Sequence, residues 1–120
     1  MADGSFEITS RRVGQASVLD VRSELDLAHA PTLGVAVHQA LVANPRRLVI
    51  DLCRVPFVDL RGLSVLLSAR RRALQAGVEL RVACDVKSTL RLLALARLDR
   101  DLDVHPTRAA ALSPLGSLPA

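Results

Sequence analysis

Asp51 and Asp59 bracket the stretch that leaves the most apolar short run of the chain, Leu48-Val49-Ile50-Asp51-Leu52. Two carboxylates at the exit of a buried strand sit where open α/β sheets place their ligands, and together they could serve a nucleotide or an acid–base reaction. Each also has a purely local use. Asp51 can tie down loop amides, and Asp59 can cap a following helix. The order Asp59-Leu60-Arg61-Gly62-Leu63 makes the pair more specific, because a capped helix start just after a buried strand is an exposed, rigid place to be read or modified by another protein. Ser64 and Ser68 lie farther along the same helix as hydroxyls a kinase could reach, although solvent-facing helix serines are the commoner explanation.

Other chemistry finds no footing. The three histidines, His29, His38 and His105, fall on separate elements with no shared spacing. Gly14, Gly34, Gly62 and Gly77 are too scattered for a phosphate-cradling loop, and no Gly-Lys-Ser or Gly-Lys-Thr occurs. Cys53 and Cys84 lack paired-cysteine spacing and read as small buried hydrophobes, not zinc or redox ligands. No metal and no cofactor are expected.

The chain has 120 residues, half of them apolar and 23% charged, which suits one domain with one core. Its net charge of +4 comes almost wholly from arginine, Lys87 being the only lysine. With no Trp or Tyr and only Phe6 and Phe57 available for base stacking, nucleic acid is not the expected partner. No apolar run approaches the ~20 residues that span a bilayer, and the start at Met1 has no secretory pattern, so a cytoplasmic protein without membrane insertion is expected.

Those candidate residues need elements to hold them. Phe6–Thr9 and Ala16–Arg22 read as strands of an opening hairpin. Pro31 suits the first turn of a helix carrying Leu33, Val37, Ala40 and Leu41 until Asn44-Pro45 stops it. Leu48–Leu52 is the central strand. Asp59 caps a second helix with Leu63, Leu66, Leu67 and Leu74 on its apolar side, ended by Gly77. Val78–Cys84 alternates as a strand, and Asp85 or Ser88 starts a third helix, with Leu90, Leu93 and Leu95 as apolar surface, through about Arg97. Leu102–His105 is a last short strand, and Thr107 caps a helix over Arg108–Leu112. Strands alternating with helices imply right-handed crossovers and an α/β fold, with a mostly parallel sheet of about five strands and an antiparallel edge. The domain is expected over residues 4–112, followed by a flexible tail over 113–120.

Several ordered pieces resemble the STAS domain, specifically its free-standing bacterial anti-sigma factor antagonists. They are Ser23-Glu24-Leu25-Asp26 before the helix at Ala30-Pro31, the strand Leu48–Leu52, Val55-Pro56-Phe57-Val58-Asp59 leading to Gly62-Leu63, Gly77-Val78-Glu79-Leu80, and Ala109-Ala110-Ala111-Leu112. The resemblance implies a module that performs no reaction itself. It binds an anti-sigma factor, usually a serine kinase, and so frees a sigma factor. It further implies a contact surface at Asp26, Asp59, Leu60, Arg61, Gly62 and Ser64, and a homodimer stays open. In the family the kinase phosphorylates a Ser or Thr immediately before the glycine that here is Gly62, and the modified antagonist lets go.

This chain departs from that pattern at the switch. Asp59-Leu60-Arg61-Gly62 stands where the family has Asp-Ser-Ser-Gly or Asp-Ser-Thr-Gly, and Ser23 replaces a usual glycine. Arg61 cannot accept phosphate, and its charge differs from that of a phosphoserine by roughly 2.5 to 3 units. In the first helical turn a cation also opposes the helix dipole, at a cost of about 0.3–1 kcal/mol. Either the lineage lost its kinase and tolerates an exposed Arg, or Arg61 pairs with a carboxylate on the partner. Two other functions compete: a subunit of a lipid-transport or stressosome-like assembly on the same fold, and a small nucleotide-binding protein or enzyme using the Asp51/Asp59 loop.

Overall fold

The computed structural model describes residues 7–113. The expected strand start at Phe6 and the tail beyond Ser113 lie outside them. Five strands form one sheet in the order β1 (Ile8–Val13), β2 (Ala16–Val21), β3 (Arg47–Asp51), β4 (Glu79–Ala83) and β5 (Val104–His105). The β1–β2 hairpin is antiparallel and every other pair is parallel. Helices α1 (Ala30–Val42), α2 (Leu60–Ala76) and α3 (Lys87–Leu95) follow β2, β3 and β4, and α4 (Arg108–Leu112) follows β5. The expected α/β architecture is therefore present.

Alternation along β2, β3 and β4 divides the core in two. Leu19, Val21, Leu48, Ile50 and Val82 point into the main core, where Leu33 and Val37 of α1, Leu63 and Leu66 of α2, and Leu93 of α3 meet them. Val18, Val49 and Ala83 point to the other face, covered by Ala111 of α4. β3 is buried at all of its residues because both faces are covered.

The same second face carries buried charge in matched register. Asp20 and Asp51 are cross-strand neighbours, as are Arg47 and Glu79. Arg108 reaches Asp20 Oδ2 at 3.0 Å and Asp51 Oδ2 at 2.7 Å, so one guanidinium separates two carboxylates that would otherwise repel. Glu79 accepts from Arg47 at 2.7 Å and from Arg81 at 3.0 Å. Burial alone would raise the Asp20 pKa, but hydrogen bonds from Arg108 and Arg22 outweigh it and hold the carboxyl below its ordinary 3.8. A carboxyl depressed in the folded state stabilises the fold above its unfolded pKa, and that contribution disappears as pH falls through the folded value. Asp20→Asn is therefore expected to lower the urea midpoint at neutral pH and to converge on the wild type as pH falls well below the ordinary 3.8. An equal deficit at both pH values would contradict this.

Element ends differ from expectation in instructive ways. β1 runs over Ile8–Val13, later than the expected Phe6–Thr9, because pairing with β2 sets its register while its own side chains are largely exposed. On α2, Leu74 is exposed, and Ala69 and Ala73 are buried beside Leu63 and Leu66. Neither Asp85 nor Ser88 caps α3, whose cap position is Val86 with no side-chain bond, and Leu95 is exposed. Only Val104 and His105 of the expected last strand pair with β4, while Leu102 is buried in the preceding turn.

Three helices end in a left-handed residue, α1 among them with Asn44 at φ 54°. Gly77 does so after α2 with φ 72°, and Arg97 after α3 with φ 60°. The Arg97 amide donates to Ala94 O at 3.0 Å and the Leu98 amide to Leu93 O at 2.8 Å, a Schellman arrangement carrying a side chain where glycine is favoured. Arg97→Gly is expected to stabilise the fold by about 0.5–1 kcal/mol, read as a higher denaturant midpoint at unchanged slope.

Candidate functional site

The head of α2 is built by Asp59. Its Oδ1 accepts from the Arg61 amide at 2.8 Å and the Gly62 amide at 3.0 Å, which closes the helix N-terminus. Its Oδ2 accepts from the Leu27 amide at 3.1 Å, which ties the turn after β2 to the same point. Backbone bonds reinforce the junction: the Leu25 amide donates to Phe57 O at 2.8 Å and the Asp59 amide to Leu25 O at 3.1 Å, forming a parallel bridge between Leu25 and Val58. Two loops distant in sequence are thus locked side by side.

Gly62 makes that lock possible. A Cβ there would stand 2.6 Å from Leu25 O and 2.8 Å from Leu25 Cγ, so only glycine lets α2 approach the Leu25 turn this closely. Gly62 is buried and offers no side chain to a partner. It shapes the surface instead.

Three apolar side chains crown the junction: Leu27, Phe57 and Leu60 are 61%, 51% and 73% exposed. Arg61 is exposed beside them, and its side chain has no hydrogen bond or ion pair among the described residues. Its amide belongs to the Asp59 cap, but its guanidinium is uncommitted. The combination is an apolar patch with one free cation on a rigid base, which suits docking of another protein.

The remaining candidates have local roles. Asp26 Oδ1 accepts from the His29 amide at 3.1 Å and lies 2.8 Å from His29 Nδ1, so it shapes the turn into α1 near Leu27. The Ser64 hydroxyl donates to Leu60 O at 3.0 Å on the exposed side of α2, and Ser68 is half-buried one turn farther along. Asp51 and Asp59 do not converge on a common ligand position. Asp51 Oδ1 accepts from the Cys53 amide at 2.9 Å and its Oδ2 faces Arg108, while Asp59 is committed to three amides. The described residues contain no cluster of three metal-ligating side chains, and no helix among them is long and apolar enough to cross a membrane. Leu27 and Phe57 are the site residues that sequence reasoning passed over. Their signal was an apolar side chain in each turn, Leu27 next to Asp26 and Phe57 between Pro56 and Val58.

The STAS domain model matches residues 7–111. The chain belongs to the STAS domain family. Among related STAS proteins, the anti-sigma-F factor antagonist RsfB of Mycobacterium tuberculosis is 30% identical over 93% of this chain and 91% of its own length. RsfA of the same organism, also an anti-sigma-F factor antagonist, is 27% identical over 91% of this chain and 87% of its own. The crystal structure of an anti-sigma factor antagonist from Mycobacterium paratuberculosis superposes with a TM-score of 0.84 at 30% identity, covering 92% of this chain and 94% of the other. The five-stranded mixed sheet and its helices are thus a STAS fold.

Proposed function

We propose that this STAS domain is an anti-sigma factor antagonist that docks on its anti-sigma factor through the head of α2 and carries out no reaction itself. Near-full-length likeness to proteins named for that role supports the reading. The observation that carries it is the exposed Arg61 side chain, unpaired among the described residues, beside Leu27, Phe57 and Leu60 on a surface fixed by the Asp59 cap. The partner is a serine kinase of the switch-protein type, and it meets this ledge with an apolar contact and a carboxylate for Arg61. Because Leu60 and Arg61 replace the family's hydroxyls, expression level and not phosphorylation at that position sets how much anti-sigma factor is captured.

Competition is the direct test of the role. Purified chain added to a complex of sigma factor and cognate anti-sigma factor should displace the sigma factor, read by fluorescence anisotropy of labelled sigma factor. No displacement at saturating antagonist would overturn the reading.

A further inference from the structure

The short helix α4 is held to the sheet by charge at both ends and by little apolar surface between them. Ala111 is its one fully buried residue, set against Val18, Val49 and Ala83, with Leu112 and Cys53 at the margin. At its head, Arg108 bonds to Asp20 at 3.0 Å and to Asp51 at 2.7 Å. At its tail, Nη1 of Arg47 donates to Ala111 O at 3.3 Å and Ser113 O at 2.6 Å, and Nη1 of Arg81 to the same carbonyls at 3.3 and 2.9 Å. Two cations at the carbonyl end of a helix are in their favoured place. A helix of five residues has no stability of its own, so these attachments decide whether it stays down.

We propose that α4 is a charge-latched strap that lifts from the intact sheet as a unit, with Arg108 as the latch, uncovering Cys53 and the Val18–Val49–Ala83 strip. The latch also reaches toward the docking ledge. Asp51, which receives Arg108 on one oxygen, holds the Cys53 amide on the other, and Cys53 opens the loop that carries Phe57 and Asp59. Lifting the strap therefore removes a constraint on that loop.

The two free cysteines provide the readout. Cys53 lies under the strap's entry, its Sγ 3.8 Å from Pro106 O, and burial together with the neighbouring Asp51 pushes its thiol up to about 12, an unreactive form. Cys84 is buried in the main core on the opposite face and reports opening of the whole fold. The full chain would be labelled with N-ethylmaleimide over time and each cysteine followed by peptide mass, in wild type, Arg108→Gln and Asp20→Asn. In wild type Cys53 is expected to react before Cys84 and with a rate little changed by sub-denaturing urea, against a steep rise for Cys84, and Cys53 is expected to react roughly tenfold or more faster in Arg108→Gln. Asp20→Asn, which keeps the Asp51 bond, should fall between and decides the matter if Arg108→Gln does not fold. One common rate for both cysteines, an equal urea dependence of both, or a Cys53 rate indifferent to the variants would each overturn the strap.

Discussion

Arg61→Glu is expected to weaken binding to the anti-sigma factor by about 100-fold while leaving the denaturation midpoint within experimental error of the wild type. The side chain of Arg61 is exposed and makes no hydrogen bond or ion pair among the described residues, so removing it costs the fold no polar contact. A glutamate in the first turn even suits the helix dipole better than an arginine. The expected loss therefore belongs to the interface. It combines the missing charge-assisted bonds with repulsion between two carboxylates brought together in a desolvated setting. Titration calorimetry with the purified anti-sigma factor, paired with urea unfolding of the variant, separates the two. Unchanged affinity would assign Arg61 to tolerated drift and leave docking to Leu27, Phe57 and Leu60.

Gly62→Ala carries the largest expected effect on stability, about 2–3 kcal/mol or roughly 10 °C in Tm. The added methyl meets a backbone carbonyl at 2.6 Å, which cannot rotate away as a side-chain tip would, with Val58 Cγ1 on the other flank at 3.0 Å. Relief requires α2 to shift from the Leu25 turn. That shift strains the Asp59 cap, the Leu27 bond and the Leu25–Val58 bridge together. The same variant should bind its partner less well even at temperatures where it stays folded, because Leu27 and Leu60 would no longer share one surface. A variant with wild-type Tm would show that the close approach is not under constraint.

The course of the chain was legible where one residue type has one physical use. Asp59 capped α2 as expected because a carboxylate before a helical apolar pattern has free amides to satisfy, and Gly77 ended it because φ 72° excludes most other residues. Leu48–Leu52 announced a strand covered on both faces. Leu74 misled because close helix packing favoured the small Ala69 and Ala73, which carry little hydropathic signal, and left the larger side chain outside. β1 was misplaced because an edge strand with exposed Arg11 and Arg12 has no buried face to impose alternation. The second face was least legible. Asp20, Arg47, Asp51 and Arg81 are buried because register sets Arg47 beside Glu79 and α4 brings Arg108 to the Asp20–Asp51 pair, and no local window displays either. At the site, Asp59, Leu60 and Arg61 were found from their order in the chain, whereas Leu27 and Phe57 join them only through the bonds that fold two distant turns together.

The most direct test compares affinity for the anti-sigma factor before and after the chain is incubated with that partner and ATP, with intact mass recorded on the same samples. The account predicts one unchanged mass and one unchanged dissociation constant. A phosphate on Ser64 or Ser68 accompanied by release of the partner would contradict it.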